Sequence, residues 1–450
     1  MTEGSIYKKI VAFALPIFWG NLFQQMYNVV DSLVLGNFAG RNSLAAVSAT
    51  GSLIFLLVGF LNGIFMGAGV VISRYFGARD NEKVQAAIHT TIAFALIAGA
   101  VLTVFGVLCT PLILRLMQTP EDVFPKAVTY VRIYFAGILT IVLYNAASGI
   151  HQAVGDSKHP LYYLIAASLV NVVLDIVFVA VFNWDIGGTA IATVISQGVS
   201  AVLSFRHLFK SKEVYQVRIN KIRIDRQILG SIIKIGLPSG LQNSVISLAN
   251  VVVQSNINAF GAAAVAGCGA YSKVEGFVFI PITSFALSMS TFVSQNLGAK
   301  QYDRVKEGGR FGVIAALLLA ETFGIAYRQL APFFIGLFSR ESEVIAYGTS
   351  QAHTITLFYF LLAFSHVVAG ILRGAGKSII PMFIMLGCWC VFRVTYVTIA
   401  TSYIHDIRVV FWAYPITWSL SSIFYLIFYL KRDWVYGFEK KTAPEAGIRA

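Results

Sequence analysis

Four acids sit inside long apolar stretches of this 450-residue sequence: Asp31, Asp175, Glu275 and Glu321. A carboxylate at the centre of a bilayer costs roughly 2.5–3.5 kcal/mol on insertion scales, so each is a candidate for function before packing. Asp31 belongs to a pattern. Asn21, Gln24, Asn28 and Asp31 are spaced i, i+3, i+7 and i+10, which places them on one helical face. Asn243, Ser247, Asn250 and Gln254 repeat the stripe later in the chain, with Val252 or Val253 where the acid would stand. These polar faces are expected to line a cavity or a buried interface. Asp175 follows Asn171 by four residues, again on one face. Hard oxygen ligands of this kind suit Na⁺ or another hard cation, by analogy with Ca²⁺ and Mg²⁺ sites. Two carboxyl groups in contact can instead hold a proton between them. The residue types leave both chemistries open.

Composition dictates which elements carry these groups. Charged residues make up 12% of the chain and hydrophobic residues 57%, with 35 Phe and a mean hydropathy of +0.73. A soluble core cannot absorb that much apolar surface, and disordered, collagen-like and disulfide-scaffold classes are excluded by the same figures. Crossing a hydrocarbon core of ~30 Å takes about 20 apolar residues. Runs of that length fall near 10–36, 46–72, 86–109, 128–150, 160–183 and 187–209, then near 228–256, 264–290, 309–327, 348–371, 379–403 and 408–430. The runs are continuous, not alternating, which predicts helices instead of a β-barrel. The expected fold is an all-α polytopic membrane protein of twelve transmembrane helices. An N-lobe over 1–209, a cytoplasmic linker over 210–227, a C-lobe over 228–430 and a cytoplasmic tail over 431–450 are expected.

Helical rise then places the polar groups in depth. Asp31 lies ~8 Å from the outer end of helix one, Asp175 ~12 Å from that of helix five, and Thr193 ~9 Å below the outer start of helix six. Tyr130 begins helix four on the same side. Asp31, Asn171, Asp175, Thr193 and Tyr130 therefore share one depth band within one lobe. Pro16, inside helix one and fifteen residues before Asp31, removes a backbone hydrogen bond and is expected to act as a kink or hinge. In the second half, Glu275, Lys273 and Arg393 are expected to form a buried charge group, read as a structural ion pair, because buried charges pair.

Orientation follows from Lys and Arg in the connections. With the N-terminus inside, the inner segments carry 25 of the 34 basic residues, including Lys8, Lys9, Arg74, Arg79, Lys300, Arg304, Lys431, Arg432, Lys440 and Lys441. The outer loops carry 7, among them Arg41, Arg340 and Arg408. This places the chain in the cell (plasma or inner) membrane with both termini cytoplasmic, and the first helix as an uncleaved signal. The net charge of +13 is spread over short inner loops, which fits contact with anionic membrane lipids and not nucleic acid. Cys109, Cys268, Cys388 and Cys390 lie in or beside apolar spans without zinc-type spacing, and are expected to be packing residues. His353 and His366 are expected to be packing or cavity residues. No nucleotide-binding or hydrolase motif stands in a supporting context, so no enzyme activity and no cofactor are expected. Any transport would then draw on an ion gradient or run passively.

The sequence also contains its own repeat. Gly149-Ile-His-Gln-Ala-Val-Gly-Asp-Ser-Lys-His-Pro160 aligns with Gly370-Ile-Leu-Arg-Gly-Ala-Gly-Lys-Ser-Ile-Ile-Pro381, and Ser73–Arg79 with Ser294–Lys300, both offset by 221. Asn37 and Gly40 pair with Asn258 and Gly261 in the same register, and Leu15-Pro16 with Leu237-Pro238 at 222. Six spans per copy make the repeat parallel, an arrangement found in secondary transporters.

The stretch from Asn21 to Gly36, the Gly77-Ala78 loop, the Gly149–Pro160 segment, Asn171-Val-Val-Leu-Asp175 and Gly187-Gly-Thr-Ala-Ile-Ala-Thr193 resemble the multidrug and toxic compound extrusion (MATE) family. The resemblance covers nearly the whole chain. It implies two six-helix lobes in a V around a central cavity, working as a monomer that exports small amphipathic, often cationic molecules. Export would be driven by entry of a coupling cation, Na⁺ or H⁺. In the prokaryotic branch of the family, the cation network carries over onto Asp31, Asn171, Asp175, Thr193 and Tyr130, and Pro16 matches a bending first helix. Another branch uses acids in helices seven and ten, where this sequence has none, which leaves Glu275 a weaker candidate there. A flippase for lipid-linked saccharides is the alternative; twelve spans and Asp31 favour the exporter. A channel or sensor is the third, and the duplicated lobes argue against it.

Overall fold

Within lipid a chain must satisfy its own backbone hydrogen bonds, so continuous apolar runs become helices. The computed structural model describes residues 1–35, 38, 41–431 and 433–436. The pairing of Asn37 and Gly40 with the second half, and the tail beyond 436, lie outside the described residues. Among the described residues twelve transmembrane helices follow in order: α1 (Ile6–Val34), α2 (Arg41–Gly77), α3 (Asn81–Leu116), α4 (Phe124–Ala136 and Ile138–Ala153), α5 (Lys158–Val181) and α6 (Asp185–Lys210) form the first lobe. The second lobe holds α7 (Arg226–Asn258), α8 (Ala262–Gly298), α9 (Tyr302–Gly336), α10 (Ser342–Gly374), α11 (Ile379–Tyr403) and α12 (Arg408–Leu430).

Two helices depart from a plain apolar rod. α4 bends by 48° at Gly137. A Cβ there would meet Val194 Cγ1 of α6 at 2.2 Å, so the bend depends on a residue without a side chain letting two helices touch. α7 is less apolar than the other spans because it carries the Asn243–Gln254 stripe, and it runs along α2 of the other lobe. The connection between lobes is laid against α3: Arg218 N donates to His89 Nε2 at 3.0 Å and Asp225 N to Thr90 Oγ1 at 3.1 Å.

The repeat in sequence is a repeat in backbone. Arg79 and Lys300 both have φ of 56°, and Gly155 and Gly376 have φ of 92° and 76°, each pair 221 residues apart. The lobes meet through the same symmetry. A Cβ on Gly77 would lie 1.9 Å from Gln295 O, and one on Gly298 would lie 2.0 Å from Arg74 O. Gln295 and Gly298 stand 221 residues after Arg74 and Gly77, so this is one contact made twice across a pseudo-twofold axis. Further hydrogen bonds tie the lobes together. Ser288 Oγ donates to Ile10 O (3.1 Å), Ser294 Oγ to Val70 O (2.7 Å), and Gln295 Nε2 to Ala153 O (2.7 Å). Asn21 Nδ2 donates to Ser284 Oγ (3.2 Å) and Asn243 Nδ2 to Gly59 O (3.1 Å). These bonds run from mid-helix to the end bearing the N-terminus. Asn28, Asn250 and Gln254 lie beyond them on exposed faces.

Candidate functional site

α1 packs on α5 with Gly20 against Leu164, and this contact sets the far part of α1 beside the end of α5. There the carboxyl groups of Asp31 and Asp175 face one another within interaction range. Asp31 is half-buried, whereas Asp175 and Asn171 are fully enclosed. Directly after Asp175 the helix widens into a π turn over Ile176–Val181, a distortion frequent at functional positions.

α6 brings Thr189, buried and next to Asp175, and Thr193 one turn further along. Tyr130 from α4 and Tyr27 from α1 complete the surround, both within electrostatic reach of the two acids. The depth arithmetic thus brought together Asp31, Asn171, Asp175 and Tyr130. It placed Thr193 near them, but the hydroxyl beside Asp175 is that of Thr189. Tyr27 and Thr189 were missed, although each carried a signal: Tyr27 stands four residues before Asp31, and Thr189 four before Thr193.

The polar atoms here are enclosed and face one another without hydrogen bonds of ordinary geometry. Asp31 Oδ1, both oxygens of Asp175, both polar atoms of the Asn171 amide and Thr189 Oγ1 accept or donate no hydrogen bond among the described residues. Leaving such a group unpaired in a low dielectric costs ~1–3 kcal/mol each. Two carboxyl groups, an amide oxygen and a hydroxyl form a hard-oxygen set that fits a small cation, or a proton shared by the acids.

Inward of this cluster lies a cavity of about 370 Å³. Pro16, Asn21, Gln24, Tyr27, Thr193 and Gln197 are on its wall, and Thr283 and Thr291 of α8 close it from the other lobe. Tyr27 interacts with Gln24 and Gln197, so it stands between cavity and carboxyl pair. α1 runs through Pro16 as one helix, and the proline is on the cavity wall. Of the other candidates, Asn243 is engaged at the lobe interface, and Gln254 Nε2 donates to Asn258 Oδ1 of its own helix at 3.0 Å.

The ion pair expected in the C-lobe is not formed. Glu275 accepts from Tyr271 (2.7 Å) and Tyr359 (3.3 Å) hydroxyls. Arg393, 2% exposed, donates to Thr417 Oγ1 at 3.0 and 3.3 Å and lies over the rings of Tyr414 and Trp389. Lys273 is exposed, over the Phe338 ring. Hydroxyls and aromatic faces, each locally available, take the direct contacts of the two charges, and Glu275 and Arg393 feel one another only through longer-range attraction. Cys268, Cys388 and Cys390 are buried and unbridged, and His366 packs edge-on against Phe279 and Trp389. His353 is exposed and close to Arg328 O (3.1 Å).

A family model described as MatE matches residues 16–177 and 238–399, one copy in each lobe. The chain is 30% identical over 394 residues to the probable multidrug resistance protein YoeA of Bacillus subtilis (strain 168), covering 86% of this chain and 85% of that one. It is 24% identical to the probable multidrug resistance protein NorM of Thermotoga maritima, over 84% of this chain and 82% of the relative. Among solved structures, it is similar to a MATE protein crystallised in complex with MaL6, with a TM-score of 0.90 and 23% identity over 95% and 96% of the two chains. A MOP superfamily transporter from Pyrococcus furiosus is similar at a TM-score of 0.91 and 22% identity, over 97% and 98%. The matched copies in both lobes, the helices that carry them and the relative at 30% identity show that this chain is a member of the MatE family, the multidrug and toxic compound extrusion transporters.

Proposed function

We propose that the protein is a cation-coupled antiporter that exports small amphipathic, often cationic molecules from the cell by alternating access, from a plasma or inner membrane in which both termini face the cytoplasm. The observation that carries this reading is the enclosed, unpartnered oxygen set of Asp31, Asn171, Asp175 and Thr189 beside the cavity lined by Gln24, Tyr27 and Thr193. The relatives named as multidrug resistance proteins support the substrate class. Entry of H⁺ or Na⁺ at the carboxyl pair changes the charge of α1 and α5 where they touch. α1 also forms the cavity wall through Asn21 and Gln24, so occupancy at one end is felt at the other through one helix. The symmetric Gly77 and Gly298 contacts give the lobes a closed end that can separate while the opposite end closes.

The test is efflux of a cationic dye from cells lacking their own exporters. Energy-dependent efflux that collapses with a protonophore or with a sodium ionophore is expected. Dye retention equal to that of empty cells, with the protein present in the membrane, would overturn the reading.

A further inference from the structure

Three of the seven histidines converge at the end of the first lobe bearing the N-terminus. His151 ends α4, Asp156 lies in the following turn, His159 opens α5 and His207 ends α6. This place is about 24 Å along α5 from Asp175, so it is not part of the carboxyl cluster. We propose that His151, Asp156 and His207 form a binding site for one divalent transition-metal ion of borderline softness, of which Zn²⁺ is the type.

Three observations carry it. One nitrogen each of His151 and His207 and one Asp156 oxygen all lie within 4.8 Å of one another. Tetrahedral zinc with ligands at about 2.0–2.1 Å separates them by roughly 3.4 Å, a closure within the reach of small side-chain rotations. Next, His151 is fully buried, and among the described residues neither ring nitrogen makes a hydrogen bond of ordinary geometry; its one ionic partner there is Asp156, with Oδ2 3.4 Å from Nδ1. A buried imidazole held by a single loose contact, with its other nitrogen unbonded, is better satisfied when an ion binds it. Finally, the ligands are held as metal ligands are held. The Tyr163 hydroxyl and His207 Nδ1 are 2.9 Å apart, which leaves His207 Nε2 to coordinate. Asp156 Oδ1 accepts from the backbone N–H groups of Lys158 and His159, and this turns Oδ2 toward the histidines. His159 Nδ1 is 2.6 Å from Oδ2 and its ring stands 4.0 Å from that of His207, so it positions both.

The duplicated chain supplies an internal control. At an offset of 221, His151, Asp156, His159 and His207 correspond to Leu372, Lys377, Ile380 and Phe428. The second lobe makes the same turn, with Gly376 matching Gly155 in positive φ, and does so with no ligand set. The fold therefore does not require the histidines. Imidazole and carboxylate ligands favour Zn²⁺, Co²⁺ or Ni²⁺ over Mg²⁺ and Ca²⁺. A bound ion would clamp the ends of α4, α5 and α6 together.

The experiment uses the full chain, freed of any affinity tag and stripped with chelator, titrated with Co²⁺ and then Zn²⁺. Expected are one Co²⁺ per chain, visible ligand-field absorption that Zn²⁺ abolishes, and a rise in Tm with either ion. His151→Leu and His207→Phe, residues the second lobe already uses, should each weaken binding at least tenfold while leaving the metal-free Tm and gel-filtration profile near those of the parent. His159→Ile should weaken binding less and alter the absorption spectrum. Should a variant fail to fold, His207→Gln at the half-exposed position takes its place. A parent chain that takes up no stoichiometric Co²⁺, or a double variant that binds like the parent, overturns the site.

Discussion

Adding one methyl group at Gly77 should pry the lobes apart at their closed end. In Gly77→Ala the new Cβ would stand 1.9 Å from Gln295 O and 2.6 Å from Gln295 C, both backbone atoms that no rotamer change can move. Restoring ordinary contact at 3.4 Å requires ~1.5 Å of separation. Gly63, where α2 meets Gly240 of α7, is fourteen residues away, or about 21 Å, so a tilt about that point amounts to roughly 4°. Overpacking of this kind costs ~1–3 kcal/mol, which lowers the population of the closed end ~5- to 150-fold. Because the contact is made twice, Gly298→Ala should do the same, its Cβ meeting Arg74 O at 2.0 Å. Gly230→Ala, with nothing within 4 Å, is the control. Spin labels at Glu82 and Asp303, exposed and one repeat apart, read the separation directly by pulsed electron resonance. The two interface variants should shift or broaden the distance distribution alike, and the control should not. Parent-like distributions in both would refute the reciprocal contact as the seat of closure.

Other consequences follow from individual contacts. Thr189→Val keeps shape and removes the hydroxyl beside Asp175, so coupling-ion affinity, read from the ion dependence of efflux, should fall about tenfold with Tm little changed; an unaltered ion dependence would remove Thr189 from the site. Arg393→Met removes a buried charge whose donor bonds, among the described residues, go to Thr417 Oγ1, itself donating to Tyr414 O. Because no direct ion pair to Glu275 is broken, replacing the charge with an apolar chain should be neutral or stabilising by up to a few kcal/mol in thermal unfolding, whereas a large loss would show that the longer-range attraction between Arg393 and Glu275 holds the lobe together.

Run length alone located eleven of the helices well enough to be found again among the described residues, and the polar stripe on α7 marked a face of which Asn243 is engaged at the lobe interface. The convergence of Asp31 with Asp175 was legible because two helices of known direction place residues at computable depths. The choice between Thr189 and Thr193 was not, since one turn is smaller than the uncertainty in where a span begins. The bend at Gly137 was hidden because its cause, Val194, is on another helix. The same limit explains Arg393 and Glu275: sparse opposite charges suggest a pair, but which helices touch decides, and Thr417, Tyr271 and Tyr359 were nearer. His151 and His207 likewise meet only because the ends of α4 and α6 are neighbours.

The central claim is that the Asp31–Asp175 pair couples ion entry to export. It is tested most directly by dye efflux from proteoliposomes under separately imposed Na⁺ and pH gradients. Asp31→Asn and Asp175→Asn replace one acid at a time with an isosteric amide. The parent should export under at least one gradient, and each variant should fall to the rate of protein-free liposomes with its melting temperature preserved. Variants that both export like the parent would contradict the account.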